Sequence, residues 1–459
     1  MNNGGDSFAK IYYMPNHIWN FFVRSLWYCL ILLFPVSGLL AQQPLKKISL
    51  QEAVDSALAN NKDIQLAAFD EKIAAAKWKE TNAIFLPQVD LSYSAITTNN
   101  PLNAFGFKLQ QQSVKQTDFD PALLNDPGNR SDFLTKLQLK QPILNLDMLY
   151  MRKAAAAQIE LYRLKTQRTK EYLAFEVQKA YMQIQLSYDA VEVLQEALRS
   201  ANAMYTFTDN RVKEGLMQQS DALNVKVWIS SVETNLAEAK SNIQNASDYL
   251  SLLMGQPYGT VYTVDKAGQQ ASGTAMGAII PANRSDFAAM QKAIEASALM
   301  IESSRKSYLP KVNAFASYQL NDNSILGFGA DSYFAGIQLS WDIFKGNSTK
   351  NKIATQSMEK NKLTEQLSYQ QQQSQLELNK TIRQLADAHY KISQQQSSIQ
   401  SAAEALRILQ DRYEQGLVNS TDVLMAQTQL SQQKLGLGQA IFHHNTTAAY
   451  ISFLTATTK

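Results

Sequence analysis

One stretch of this chain occurs twice, about 200 residues apart. The first copy is Arg211-Val212-Lys213-Glu214-Gly215-Leu216-Met217-Gln218-Gln219-Ser220-Asp221-Ala222-Leu223. The second is Arg412-Tyr413-Glu414-Gln415-Gly416-Leu417-Val418-Asn419-Ser420-Thr421-Asp422-Val423-Leu424. Each copy ends one polar helical pattern and begins another. Residues 146–214 contain no Gly or Pro, and a helix of that length spans roughly 100 Å. Such a span exceeds an ordinary globular helix and demands a coiled-coil or tubular assembly. Gly215 and Gly416 fit the left-handed residue that closes a helix. Ser220-Asp221 and Thr421-Asp422 then offer residue types that cap the next helix. The pattern predicts two long helical hairpins with related tips.

Composition narrows the function classes. Forty-three basic residues stand against 40 acidic ones, for a net charge of +3, so no electrostatic footprint for nucleic acid is present. Only 18% of the residues are charged although apolar content is 45%. That mixture suits walls that face water on one side and protein on the other. Cys29 is the only cysteine. It lies in an N-terminal apolar stretch preceded by Lys10 and Arg24 and followed by Ser37, Gly38 and Ala41. The stretch reads as a secretory signal over residues 1–41, with a membrane anchor or a lipidated signal at Cys29 as alternatives. A mature chain without cysteine would draw stability from another source, such as oligomerisation.

The rest of the chain falls into two halves. In the first, residues 42–282, Ser49 and Glu52 have capping-box spacing before a helical pattern that breaks at Asn60-Asn61-Lys62 and stops at Pro87. Val89, Leu91, Tyr93 and Ala95 then alternate with Asp90, Ser92 and Ser94. A long loop is expected over residues 97–132, followed by a second alternating run with Phe133, Thr135, Leu137 and Leu139 on one face. The strand hairpin covers about 87–142, the long helical hairpin about 146–254, and a linker continues to 282. Residues 283–459 repeat the plan. A helix over 285–309 leads to a strand hairpin at about 310–343, in which Tyr333, Ala335, Ile337, Leu339, Trp341 and Ile343 share a face. A helical hairpin over about 347–455 follows, with the Gln-rich run 370–375 inside it as tunnel wall.

Each strand has roughly ten alternating residues, the length a tilted membrane strand requires. Four strands cannot close a barrel, and their open edges would be unsatisfied in lipid. Three copies of four strands give twelve, an even number that encloses an aqueous lumen. The other arrangement open to these residues is a pair of solvent-exposed hairpins packed on a helical bundle.

This order of elements resembles TolC-like outer-membrane efflux proteins over nearly the whole mature chain. The residues that carry the resemblance are Leu86-Pro87-Gln88-Val89 with its copy Leu309-Pro310-Lys311-Val312, and Leu252-Leu253-Met254-Gly255. To these are added Tyr413-Glu414-Gln415-Gly416 and Ser420-Thr421-Asp422-Val423-Leu424. The resemblance implies a mainly α chain with membrane strands. Three copies would form a twelve-stranded β-barrel in the outer membrane and an α-helical barrel in the periplasm. A periplasmic adaptor and an inner-membrane pump would dock at the tips. The function implied is passive efflux, without a cofactor or catalytic residues.

The resemblance also implies roles for tip residues. Asp422 and its counterpart Asp221 would ring the pore constriction, where like charges favour cations; each could instead serve only to charge a helix N-terminus. Met425 stands where many members of the family carry a second acid. Tyr413 and Arg412 would link hairpins and hold the tip closed, or be ordinary last-turn residues. Gly215, Leu216, Met217, Gly416, Leu417 and Val418 would contact the adaptor, or make apolar cap contacts within their own hairpins. His443-His444 is a poor metal site, because helix neighbours do not share a face. No phosphate loop or nucleophile context occurs, which argues against an enzyme. Protein secretion through the same architecture, and an exported coiled-coil adhesion protein without a pore, are the other functions this sequence allows.

Overall fold

The computed structural model describes residues 45–266, 268 and 279–457. The expected signal segment and most of the linker after residue 266 lie outside them. A short strand β1 (Leu45–Lys47) opens the described chain, followed by helices α1 (Leu50–Asn60) and α2 (Lys62–Glu80). The expected capping box is present: the Glu52 amide donates to Ser49 Oγ at 3.3 Å, and the Ser49 amide to Glu52 Oε2 at 2.9 Å. The expected break is there as well. Asn61 caps α2 by accepting from the Asp63 amide at 2.8 Å.

Strands β2 (Gln88–Thr98) and β3 (Arg130–Leu144) form an antiparallel pair. The segment between them is folded, where the sequence reading expected a loop. It holds helices α3 (Pro101–Gln110) and α4 (Pro121–Asn125), with a 3₁₀ turn Gln116–Phe119 between them. Asn100-Pro101 and Asp120-Pro121 are pairs of N-cap and first-turn proline. Proline fits the first helical position because its amide would have no partner there. Gln111 pins the insertion to the sheet, donating to Ser131 O and to the buried Asp132 carboxylate, both at 2.9 Å.

Two long helices follow, α5 (Leu146–Lys213) and α6 (Gln219–Met254). Strand β4 (Val261–Thr263) pairs in parallel with β1, a two-stranded sheet that no periodic pattern announced. Helix α7 (Ser285–Lys306) ends three residues short of the expected limit. Strands β5 (Lys311–Asp322) and β6 (Ala330–Ser340) come next, then α8 (Ser348–Glu414) and α9 (Ser420–Leu454). Trp341 and Ile343, expected in the last strand, lie beyond its end.

The four longer strands make one antiparallel sheet in the order β2-β3-β5-β6. Its register places Leu91 opposite Leu137, Leu137 opposite Tyr318, and Tyr318 opposite Tyr333. One apolar face therefore runs across the hairpins of both repeats, and Leu91, Tyr333 and Ile337 on it are 73%, 84% and 75% exposed. The opposite face carries Ser92, Lys136, Gln138, Ser317 and Gln319. It also carries Phe315, which lies over Gly336 and against Phe334 with ring centres 5.5 Å apart. Among the described residues, strands β2 and β6 remain open edges.

The helical core is distributed along the hairpins as separate clusters. One gathers Ile48, Tyr181, Leu250 and Met254, and another Phe287, Leu378, Ile451 and Leu454. Gly255 closes α6 at φ +64°, and a Cβ there would lie 2.6 Å from Asn60 O. Beside it Asn61 Nδ2 donates to Leu253 O at 2.8 Å. The break between α1 and α2 is thus seated on the end of α6. No described helix is long and apolar enough to cross a membrane.

Candidate functional site

The two hairpin tips lie side by side and share one closure. Gly215 and Gly416 have φ of +74° and +73°. The Leu216 amide donates to Arg211 O at 2.8 Å, and the Leu417 amide to Arg412 O at 2.9 Å. The Gly215 and Gly416 amides reach Val212 O and Tyr413 O, each at 3.0 Å. These are paired Schellman bonds, and they satisfy carbonyls that the ending helix would leave open.

The second helices start differently from the sequence expectation. Neither Ser220 nor Thr421 caps. Asn419 caps α9 by accepting from the Asp422 amide at 3.0 Å. Gln218 occupies the cap of α6 with no side-chain bond. The residue two positions before each expected cap holds the place, because the Schellman turn fixes where the chain can re-enter helix.

Asp221 and Asp422 occupy equivalent places in the first turns of α6 and α9, yet their carboxylates differ. Ser420 Oγ, fully buried, donates to Asp221 Oδ1 at 2.6 Å. The half-buried Asp422 carboxylate makes no hydrogen bond or ion pair among the described residues. Asp221 thus ties the two tips together, and Asp422 is unengaged.

Tyr413 forms a second tie. Its hydroxyl lies 2.7 Å from Thr208 Oγ1, in a buried contact between α8 and α5. Thr208 also donates to Met204 O at 2.8 Å, which leaves Tyr413 as the donor to Thr208. The ring packs against Phe207 at 5.8 Å. Burial pushes the Tyr413 phenol above its usual range, and the nearby Asp221 charge adds to this. Arg412 is exposed, and its side chain has no partner among the described residues; the structure does not join it to Tyr413. Arg211, its counterpart, lies 5.3 Å from the Phe207 ring centre.

The apolar tip residues divide. Met217 and Val418 pack onto the buried cluster of Leu406, Tyr413, Val423 and Leu430. Leu216 and Leu417 stay 61% and 69% exposed. His443 is exposed; His444 is buried, with its ring centre 6.3 Å from that of His389.

Thr208 was not singled out in the sequence and Ser420 was quoted there without a role, although the duplication carried a signal. Aligning the two copies sets Tyr413 against Val212, Thr208 against Leu409, and Ser420 against Gln219. Three of the four bonding residues differ from their counterparts, and only Asp221 has the same residue, Asp422, in the other copy.

Comparisons with known proteins agree with this fold. The family model described as outer membrane efflux protein matches residues 53–256 and 280–440. The cation efflux system protein CusC of Escherichia coli O6:H1 is 22% identical over 390 residues, covering 82% of this chain and 79% of the relative. A crystal structure of CusC superposes with a TM-score of 0.75 at 17% identity, covering 89% of this chain and 92% of that one. The CmeC outer membrane channel of Campylobacter jejuni gives 0.73 at 17% identity, with 88% and 85% covered. The chain belongs to the outer membrane efflux protein family and is an outer-membrane efflux channel, not an enzyme.

Proposed function

We propose that three copies of the chain form a passive duct whose narrowest, cation-favouring ring is built by Asp422. The observation that carries this reading is the asymmetry between the two repeats. Asp221 is held by Ser420, whereas Asp422 keeps an uncommitted carboxylate at the same tip. Three such carboxylates around an axis raise the local concentration of cations and repel anions. The open edges β2 and β6 support the trimer, because each would pair with the next copy and leave no strand edge in lipid. Three copies of four strands then make a twelve-stranded barrel.

The long helices continue that barrel into the periplasm. The exposed Leu216 and Leu417 contact a periplasmic adaptor, through which an inner-membrane pump delivers cargo. The relative named as a cation efflux protein supports a positively charged cargo. Tyr413 and its bond to Thr208 hold the tip in its closed arrangement.

Bilayer recording tests the ring. Asp422→Asn should shift the reversal potential in a salt gradient toward zero selectivity, whereas Asp221→Asn should mainly raise conductance by loosening the tip. An unchanged reversal potential for Asp422→Asn would sink the assignment. Site-directed crosslinking tests the adaptor contact: Leu216→Asp with Leu417→Asp should abolish adducts at the tips, and wild-type yields would refute it.

A further inference from the structure

Behind the tips the four long helices border an open cavity of about 290 Å³ that the duct reading does not use. Helix α5 contributes Phe207, α6 contributes Trp228, and α8 contributes Asp411, Tyr413 and Glu414. The Ser200 hydroxyl donates to Gln427 Oε1 at 3.2 Å, joining α5 to α9 along its wall. Among the described residues no Lys or Arg lines it, although Arg211 lies by the Phe207 ring and Arg407 on the Asp411 carboxylate.

We propose that this cavity is a binding site for a compact aromatic or quaternary ammonium cation. Its volume suits one ring with a small charged head, near the lower end for ligand pockets. Phe207 and Tyr413 line it with rings inclined at 54°. Ring faces attract cations through the aromatic quadrupole. Phe207 already takes part in one such contact, with the Arg211 guanidinium.

The two carboxylates supply the charge complement, and they are not equivalent. Asp411 accepts from Arg407 at 2.8 Å, so its charge is partly spent. The Glu414 carboxylate has no ion pair or hydrogen bond among the described residues. It is therefore the group that pairs with the ligand. A hydrated metal ion fits this lining poorly, because aromatic carbons offer it no coordinating oxygen. A weakly hydrated organic cation gives up less water and gains the rings. The site uses neither Asp422 nor Asp221, so it and the constriction stand or fall separately.

Calorimetry on the purified full assembly in detergent, with benzyltrimethylammonium as the probe, tests this. Phenylmethanesulfonate, of similar size and opposite charge, is the comparison ligand and needs no variant. Saturable binding of the cation, one per chain, with none of the anion, is the expected result. Glu414→Gln and Trp228→Leu should each weaken the cation by about tenfold, the loss of one ion pair or one cation–π contact. Glu238→Gln, an exposed acid elsewhere on α6, should leave the affinity as it was. Equal binding of the anion, or undiminished cation affinity in either cavity variant, overturns the proposal.

Discussion

At the scale of the residue, two kinds of glycine do different work. Gly416 has open space where a Cβ would sit and needs only its left-handed backbone. Gly255 needs both that backbone and the missing side chain, because Asn60 O occupies the place of a Cβ. Gly416→Ala should therefore cost about 1 kcal/mol, and Gly255→Ala at least about twice that. Thermal unfolding of the two variants checks the order; equal losses would refute the packing argument. Tyr413 separates ring from hydroxyl in the same way. Tyr413→Phe keeps the contact with Phe207 but removes the bond to Thr208, at about 1 kcal/mol. Hydrogen exchange at the tips should rise while that of the Leu250 cluster stays unchanged.

At the scale of the element, the sheet poses a sharper test than any single contact. Leu137 and Gln138 are neighbours on β3 and point to opposite faces. Leu137 lies between Leu91 and Tyr318 on the apolar face, while Gln138 lies between Asp90 and Ser317. A charge on a lipid face costs about 2–4 kcal/mol at mid-membrane and far less on a lumen face. Leu137→Arg should therefore sharply lower the yield of assembled protein in outer-membrane fractions, and Gln138→Arg should not. Similar yields would mean that this face does not meet lipid. The long helices follow a different logic. Their apolar residues are sparse, so each hairpin is held by clusters spaced along it and by cross-helix bonds such as Lys434 to Glu196 at 2.6 Å.

At the scale of the whole molecule, a buried charged node fastens the helices of the second repeat to one another. Arg284, 3% exposed, grips Asp286 through Nε and Nη2 and also reaches Ser374 and Leu454 O. Gln370 donates to Asp286 at 3.0 Å, and Gln375 accepts from the Ile280 amide at 3.2 Å. The Gln-rich run expected as tunnel wall thus stitches α8 to α7 and to the segment before it. Burial alone would raise the Asp286 carboxyl, but the Arg284 bonds and charge outweigh it and hold the group below its usual value of 3.8. The ionised form is favoured in the folded state. Its contribution is therefore full above that value and is lost as pH falls through the lower folded value. Stability of the wild type should decline below about pH 4 more steeply than that of Asp286→Asn. Arg284→Met should cost about 3–5 kcal/mol at neutral pH, because it strands a buried carboxylate. Unfolding curves across pH would show both effects.

Periodicity and punctuation were enough to read the helical hairpins, the strand positions, the duplication and the capping box, because each is a local property of backbone and neighbouring side chains. Gly215 and Gly416 mark the tips since no other residue enters that turn without strain. The folded insertion was misread because Asn100-Pro101 and Asp120-Pro121 signal a loop and a helix start with the same residues. Other features depended on which distant elements meet. The pairing of β1 with β4, the Ser420–Asp221 and Thr208–Tyr413 ties, and the cavity beside Trp228 join residues far apart in the chain. Nothing in either partner's own neighbourhood identifies the other. Sequence alone determined that the chain builds two copies of one hairpin, since repetition is written in the residues themselves. The tertiary structure decided that the copies are not equivalent. Packing the tips together lets Ser420 reach one carboxylate, Asp221, and leaves Asp422 unengaged.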